Sequence, residues 1–240
     1  MHQDHTVPIT TTEPFTTALT GNDIVDLTAP GSVDKAADSR FVNRVFHEEE
    51  RRFLETREDP TLALWLLWAA KEAAYKIVCK LVQPRPVFSH RRFRVLPGEA
   101  SLPLLAQGEF FARVIWQETE TEVFFDVSAE RLHAVAVCQP AKRAEKPELM
   151  AGCRKISDTE LSRTPSGGTL SALSLAVRRH ALPAFAEFLG VSEKSLKIDR
   201  PDQPDPRQPP RLFLDGRPAP IDISLSHHGH WVAWSACRYK

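Results

Sequence analysis

No apolar run in this sequence approaches the roughly 18 residues needed to span a membrane. The longest, Leu62 to Ala70, gives way at once to Lys71 and Glu72. There is no charge excess either. Lys plus Arg number 31, Asp plus Glu also 31, and the formal net charge is zero. That balance excludes a protein held to nucleic acid or anionic lipid by bulk charge, but it leaves room for a local phosphate site. Cysteine is sparse: Cys79, Cys138, Cys153 and Cys237 are widely spaced and form no CxxC. Neither a disulfide scaffold nor a closed zinc site follows from such spacing, and the four read as reduced, buried residues of a cytosolic chain. The opening MHQDHTVPITTTEP lacks the basic-apolar build of a signal peptide and the Arg-rich build of a transit peptide. These absences describe an expected soluble, globular, cytoplasmic protein. At 240 residues and 42% hydrophobic content, it can fill one or two cores.

Residues 1–14 are polar and Thr-rich and read as a disordered tail. From Phe15 the chain is strand-like through GNDIVDL at 21–27. RFVNRVFHEEERRFLETR, 40–57, has helical spacing. A second helix starts sharply, with Asp59 as N-cap and Pro60 at the first helical position, and runs to about Leu81, apolar nearly all round. Strand-like segments follow at 87–96, 108–116, 121–128 and 131–138. A Pro- and charge-rich linker covers 139–149, helices lie near 157–163 and 169–190, and strands near 195–199, 211–215, 220–226 and 230–237. Each half thus has a long helix, a strand, an insertion and a closing strand of small apolar residues, which predicts an internal duplication in an α+β fold. The expected division is a tail at 1–14, a first module at 15–140, a linker at 141–150 and a second module at 151–240.

Three segments carry chemistry. In WAAKEAAYK, 68–76, a helix places Trp68, Glu72, Tyr75 and Lys76 on one face. A solvated stripe with a Glu72–Lys76 surface pair is one reading. The aromatic neighbours favour a covered stripe whose carboxylate and ammonium serve a site. In GNDIVDL, Asp23 and Asp26 interrupt an apolar strand and point to opposite faces, so one of them joins a given site. Asp23 beside Glu72 makes a pair of hard oxygen ligands suited to Mg2+, which fills its octahedron with water and substrate phosphate. In DISLSHHGHWVAW, 222–234, Ser226–His227 ends a strand and Gly229 permits close backbone approach. Zinc fits poorly, because consecutive strand histidines diverge. A nucleophilic serine also fits poorly, because no GxSxG elbow is present. A histidine donating to a phosphate oxygen fits better.

Together these segments resemble the 4′-phosphopantetheinyl transferase superfamily. Gly21–Asn22–Asp23–Ile24–Val25 is similar to its metal strand. Trp68, Lys71, Glu72, Ala73 and Lys76 match its helix motif, and Ser224, Ser226, His227 and Gly229 match its S-x-S-H-x-G. The strand resembles the holo-acyl-carrier-protein synthase version, yet the length is that of the two-module enzymes, with the module order swapped. The resemblance implies a pseudo-twofold pair of modules, each a long helix packed on a small antiparallel sheet, with one site at their junction. The symmetry-related second site is expected to be dead, since Arg178–Arg179 replace Lys71–Glu72 and Ser128–Ala129–Glu130 replace the serine–histidine.

It further implies transfer of the 4′-phosphopantetheine arm of coenzyme A to a serine of an apo acyl, polyketide or peptidyl carrier protein, releasing adenosine 3′,5′-bisphosphate. Asp23 and Glu72 are the expected ligands of Mg2+, with Mn2+ as an alternative. Glu72, Lys76 and His227 are the catalytic set, and Lys71, Lys76, Ser226, His227 and Arg211 the coenzyme A contacts. The family's Gly-Lys-Pro, set against Arg207–Gln208–Pro209–Pro210–Arg211, lacks its Lys, and a further family arginine is missing near Gly168. The competing readings are a non-catalytic carrier-binding scaffold and a metal-dependent nuclease. A monomer is expected, because fused modules need no partner.

Overall fold

The computed structural model describes residues 17–97, 110–140, 145–163, 170–200 and 208–239. The expected tail, Arg207 and Gly168 lie outside these residues. The first module contains strand β1 (Leu19–Asp26), helices α1 (Ser39–Val45), α2 (Glu48–Glu55) and α3 (Pro60–Leu81), and strands β2 (Arg94–Pro97), β3 (Phe110–Trp116), β4 (Thr119–Val127) and β5 (Arg131–Cys138). The second contains β6 (Glu148–Lys155), α4 (Asp158–Arg163), α5 (Ala172–Leu189), β7 (Leu196–Asp199), β8 (Arg211–Leu214), β9 (Arg217–Pro218), β10 (Asp222–His228) and β11 (Trp231–Arg238).

Helix α3 begins where its cap predicts. Asp59 Oδ1 accepts from the Leu62 N–H at 2.8 Å, and Pro60 occupies the first position, where its missing N–H costs nothing. Its apolar faces lie in the first core, with Leu64, Ala69, Ala70, Ala73 and Ile77 fully buried. So much apolar surface cannot meet solvent, so the fold wraps α3 with the five-stranded antiparallel sheet β1-β5-β4-β3-β2 on one side and α1 and α2 on another.

Two expectations change in detail. The helix expected over 40–57 is two helices, because the chain turns extended at Phe46 and Glu50 Oε2 accepts from the His47 N–H at 2.8 Å, starting α2 afresh. The strand expected over 87–96 is a single 3-10 turn at His90–Arg92 followed by β2.

The second core gathers Val177, Ala181, Phe185, Ile198, Ile223, Val232 and Ala236 between α5 and the sheet β10-β11-β6. Strand β6 starts at Glu148, inside the segment that reads as linker. It pairs with β11, and Arg238 Nε donates to Glu148 Oε2 at 3.0 Å. Its sequence, ELMAGCRK, lacks alternation, and Gly152 is there for another reason. A Cβ at this position would stand 2.8 Å from the Trp234 ring, so the glycine makes room for the indole. The wiring repeats. In each module the first strand pairs antiparallel with the last, β1 with β5 and β6 with β11, and the long helix lies between them in sequence. Among the described residues no helix is long and apolar enough to cross a membrane.

Candidate active site at the module junction

The edge strand β1 of the first sheet runs beside the edge strand β10 of the second. An edge leaves alternate backbone N–H groups unpaired. Here side chains of β10 receive them, each 202 residues on. Thr20 N–H donates to Asp222 Oδ2 at 2.8 Å, Asn22 N–H to Ser224 Oγ at 3.0 Å, and Asp26 N–H to His228 Nδ1 at 3.0 Å. The Ile24 N–H turns instead to the Asp23 carboxylate, and Ser226 Oγ, next in the series, is buried with no hydrogen-bond partner among the described residues. Lys80 locks the junction. Its ammonium donates to Thr20 O at 2.6 Å, to Ile223 O at 2.7 Å and to Asp222 Oδ2 at 2.7 Å.

On the α3 side, Gly21 brings β1 into contact with the helix; a Cβ there would stand 2.0 Å from Ala73 O. This approach puts Asp23 over the stripe Trp68–Glu72–Lys76–Lys80, whose members recur every four residues and are the partly exposed positions of this stretch of α3. Lys76 Nζ donates to Asn22 O at 2.5 Å and to Asp23 Oδ1 at 3.1 Å. Burial pushes the Asp23 carboxyl up to about 6; the Lys76 charge opposes the rise and the neighbouring Glu72 carboxylate adds to it. A buried carboxyl whose ionisation a neighbouring carboxylate opposes suits a divalent cation, and a metal such as Mg2+ asks for only one or two protein oxygens. Asp23 and Glu72 fit that need. Among the described residues no cluster of three or more His, Cys, Asp and Glu is arranged around a metal position.

His227 reaches the junction from β10. Desolvation holds its imidazole below its usual range, and the next contribution comes from the Lys76 ammonium, so the two modules meet electrostatically at Lys76. Its Nε2 lies 3.3 Å from Ser174 Oγ, near the start of α5.

Other expected site residues stand elsewhere. Lys71, expected as a coenzyme A contact, is fully buried. Its ammonium bonds Glu50 Oε2 at 2.6 Å and the carbonyls of His90 at 3.2 Å and Val45 at 3.4 Å, so it knits α3 to α2 and to the 90–92 turn. Tyr75 leaves the stripe: it is buried, and its hydroxyl donates to Pro86 O and accepts from Arg85 Nε. Asp26 lies on the face of β1 opposite Asp23, accepting from Thr28 N–H and Oγ1 and from His230 N–H. Gly229, in the left-handed region, makes its close approach to that aspartate, not to a ligand; a Cβ there would meet Asp26 Oδ2 at 2.3 Å. Arg211 is exposed at the start of β8 and lines a junction cavity of about 310 Å³ with Lys80, Asp222 and Tyr239, which Asp23, Glu72, Lys76 and His227 do not line.

Sequence reasoning misses Lys80, although Lys76 plus four announces it, and Asp222, although Asp222–Ser224–Ser226–His228 is a polar face of a strand. It also misses His90, for which no local pattern exists. A basic Gly-x-Pro, Gly216–Arg217–Pro218, stands nearer β10 in sequence than 207–211 does. It forms the β8–β9 turn, with Asp215 and Gly216 both left-handed and Arg217 exposed.

Among solved structures, the holo-[acyl-carrier-protein] synthase of Thermotoga maritima is similar at 15% identity and a TM-score of 0.38, over 62% of this chain and 76% of that one. Among curated proteins none matches. A family model described as the 4′-phosphopantetheinyl transferase superfamily matches residues 20–138, β1 through β5, and so includes Asp23, Glu72 and Lys76. Over residues 20–138 the chain belongs to the 4′-phosphopantetheinyl transferase superfamily.

Proposed function

We propose that this protein transfers the 4′-phosphopantetheine moiety of coenzyme A to a serine of an apo acyl, polyketide or peptidyl carrier protein, with release of adenosine 3′,5′-bisphosphate. The observation that carries the reading is the cluster at Lys76, whose ammonium donates to Asp23 Oδ1 at 3.1 Å one helical turn from Glu72, on the strand whose amides β10 caps. In this proposal the modules are residues 15–140 and 151–240, joined by 141–150.

The transferred group is a phosphoryl centre within a doubly charged pyrophosphate, so the work is alignment and charge neutralisation. Lys76 and His227 offset charge on the phosphate from opposite sides of the junction. Glu72 accepts the serine proton as the new Oγ–P bond forms and the pyrophosphate P–O bond breaks. The unpartnered Ser226 hydroxyl, buried beside His227, faces a ligand oxygen in this scheme. Arg217, in its Gly-Arg-Pro turn, takes the phosphate role of the family's Lys, in place of Arg211. Asp23 and Glu72 would hold Mg2+ or Mn2+, which would supply charge neutralisation for the pyrophosphate.

Intact mass spectrometry of apo carrier proteins incubated with coenzyme A and Mg2+ tests the assignment. A gain of one phosphopantetheine arm is expected, abolished in Glu72→Ala and Asp23→Ala and weakened in His227→Ala. Coenzyme A binding without transfer to any of several carriers supports the scaffold reading instead.

A further inference from the structure

Lys71 and Glu72, adjacent in α3, bracket one residue of the 3-10 turn that follows the helix. Lys71 holds the backbone carbonyl of His90 at 3.2 Å, and Glu72 Oε1 faces the ring, 3.4 Å from His90 Nε2. The imidazole cannot move far. It stacks on Trp68 with centroids 4.1 Å apart and planes 28° from parallel, and Phe88 packs against it at 4.1 Å. Its turn is closed by Arg92 N–H on Ser89 O and Phe93 N–H on His90 O, with Phe93 in the core. Within this fixed frame Nε2 is buried and makes no hydrogen bond to any described residue in the resting geometry, and Glu72 is the carboxylate in front of it. A buried ring nitrogen without a partner carries a desolvation cost that a structure retains when the group is used. The two aromatic contacts hold the plane of the imidazole and with it the direction of Nε2.

We propose that His90 is a positioning residue for Glu72. Its ring nitrogen engages Glu72 Oε1 and so leaves the second carboxylate oxygen directed toward Asp23 and Lys76. The inference rests on the transferase reading, since it assigns a partner to that reading's proton acceptor. It also explains why the lysine preceding Glu72 is buried: Lys71 fixes the turn that carries His90, and His90 fixes Glu72. The motif lysine thereby acts on the site at one remove, without touching substrate.

Two substitutions separate the nitrogen from the ring. His90→Phe keeps the stack on Trp68 and removes Nε2; His90→Gln loses the stack but returns an amide nitrogen at similar reach. Both are compared with wild type by steady-state transfer to the apo carrier and by Mn2+ titration of the resting protein without coenzyme A. Partners that orient a ligating or catalytic carboxylate are commonly worth about 10- to 100-fold in activity or metal affinity. His90→Phe is therefore expected to lose about tenfold or more in kcat, with KM for coenzyme A unchanged, and to bind Mn2+ more weakly, while His90→Gln recovers most of both. Wild-type kcat and Mn2+ affinity in His90→Phe overturn the proposal and leave the transferase reading standing. Equal losses in both variants with a lowered melting temperature also overturn it, since the ring's packing then explains everything. If wild type transfers to no carrier, the transferase reading falls and the Mn2+ arm alone decides the role of His90. A wild type that neither transfers nor binds Mn2+ overturns both.

Discussion

Lys71, Glu50 and Asp26 show how single charged residues are held by this fold. Lys71 and Glu50 are 0% and 2% exposed at the side chain, and Glu50 also accepts from the His47 and Val95 N–H groups, at 2.8 and 2.9 Å. Removing one partner strands the other charge away from water. Lys71→Met is thus expected to cost about 3 kcal/mol or more, measured by denaturant unfolding, with Glu50→Gln recovering part of it in the double variant. Asp26 is 1% exposed. Burial opposes its ionisation, but the N–H of His230 and the hydroxyl and N–H of Thr28 outweigh it and hold the carboxyl below its usual value of 3.8. A carboxyl lowered on folding stabilises the native state above its unfolded pKa, and that stability disappears as pH falls through the folded value. Wild type should therefore melt well above Asp26→Asn at neutral pH, and the gap should shrink as pH drops below 3.8. The identities of Asp23, Glu72, Lys76 and His227 as site candidates were legible because charges interrupt apolar periodicity. The burial of Lys71 was not, since a lysine on a helix reads alike whether it meets solvent or a carboxylate 21 residues away.

At the scale of elements, the contact between β1 and α3 decides the geometry of the acidic pair. Gly21 meets backbone, Ala73 O at 2.0 Å from a built Cβ, and a carbonyl inside a helix cannot swing aside. Gly21→Ala must push β1 from α3, which moves Asp23 off Lys76 and Glu72. Transfer activity is expected to fall by about 100-fold or more, beyond what the accompanying loss of stability explains, and Mn2+ binding should weaken in parallel. Helix α3 was legible to the residue at its start because Asp59 and Pro60 are local signals. β6 was not legible, since a short strand without alternation, carrying a glycine that serves a tryptophan from β11, is defined only by its partner. The 90–92 turn was hidden for a related reason: Phe88, Phe93 and Val95 look like strand residues, and the packing of Phe88 on Tyr75 and His90 bends the chain.

At the scale of the whole molecule, the two modules are joined by side chains standing in for a missing strand. Asp222, Ser224 and His228 cap the amides of β1, Thr20 Oγ1 meets Ser235 Oγ at 2.8 Å, and Lys80 binds both strands. This junction sets His227 against Lys76. Lys80→Met leaves Asp222, among the described residues, with only the Thr20 N–H, and a loss of roughly 2 kcal/mol or more is expected by chemical denaturation. The double variant with Asp222→Asn should lose less than the sum of the two single changes, which a double-mutant cycle measures. If the junction positions the site, kcat falls in Lys80→Met under conditions where the protein remains folded, and Lys80→Arg restores part of it.

The sequence by itself determined the class, the α+β alternation, the start of α3 and the residues that carry charge into apolar surroundings. These are local properties, set by periodicity, caps and the cost of a carboxylate in a strand. Only the tertiary structure decided which of those charges face one another. It sent Lys71 inward to Glu50, turned Asp26 to the opposite face of β1, brought Lys80 to Asp222 and set His90 before Glu72. The reason is that a side chain's partner is chosen by distance in space. The contacts that build this site join residues from 18 positions apart, Glu72 and His90, to 202 apart, Thr20 and Asp222, separations over which no pattern along the chain carries information.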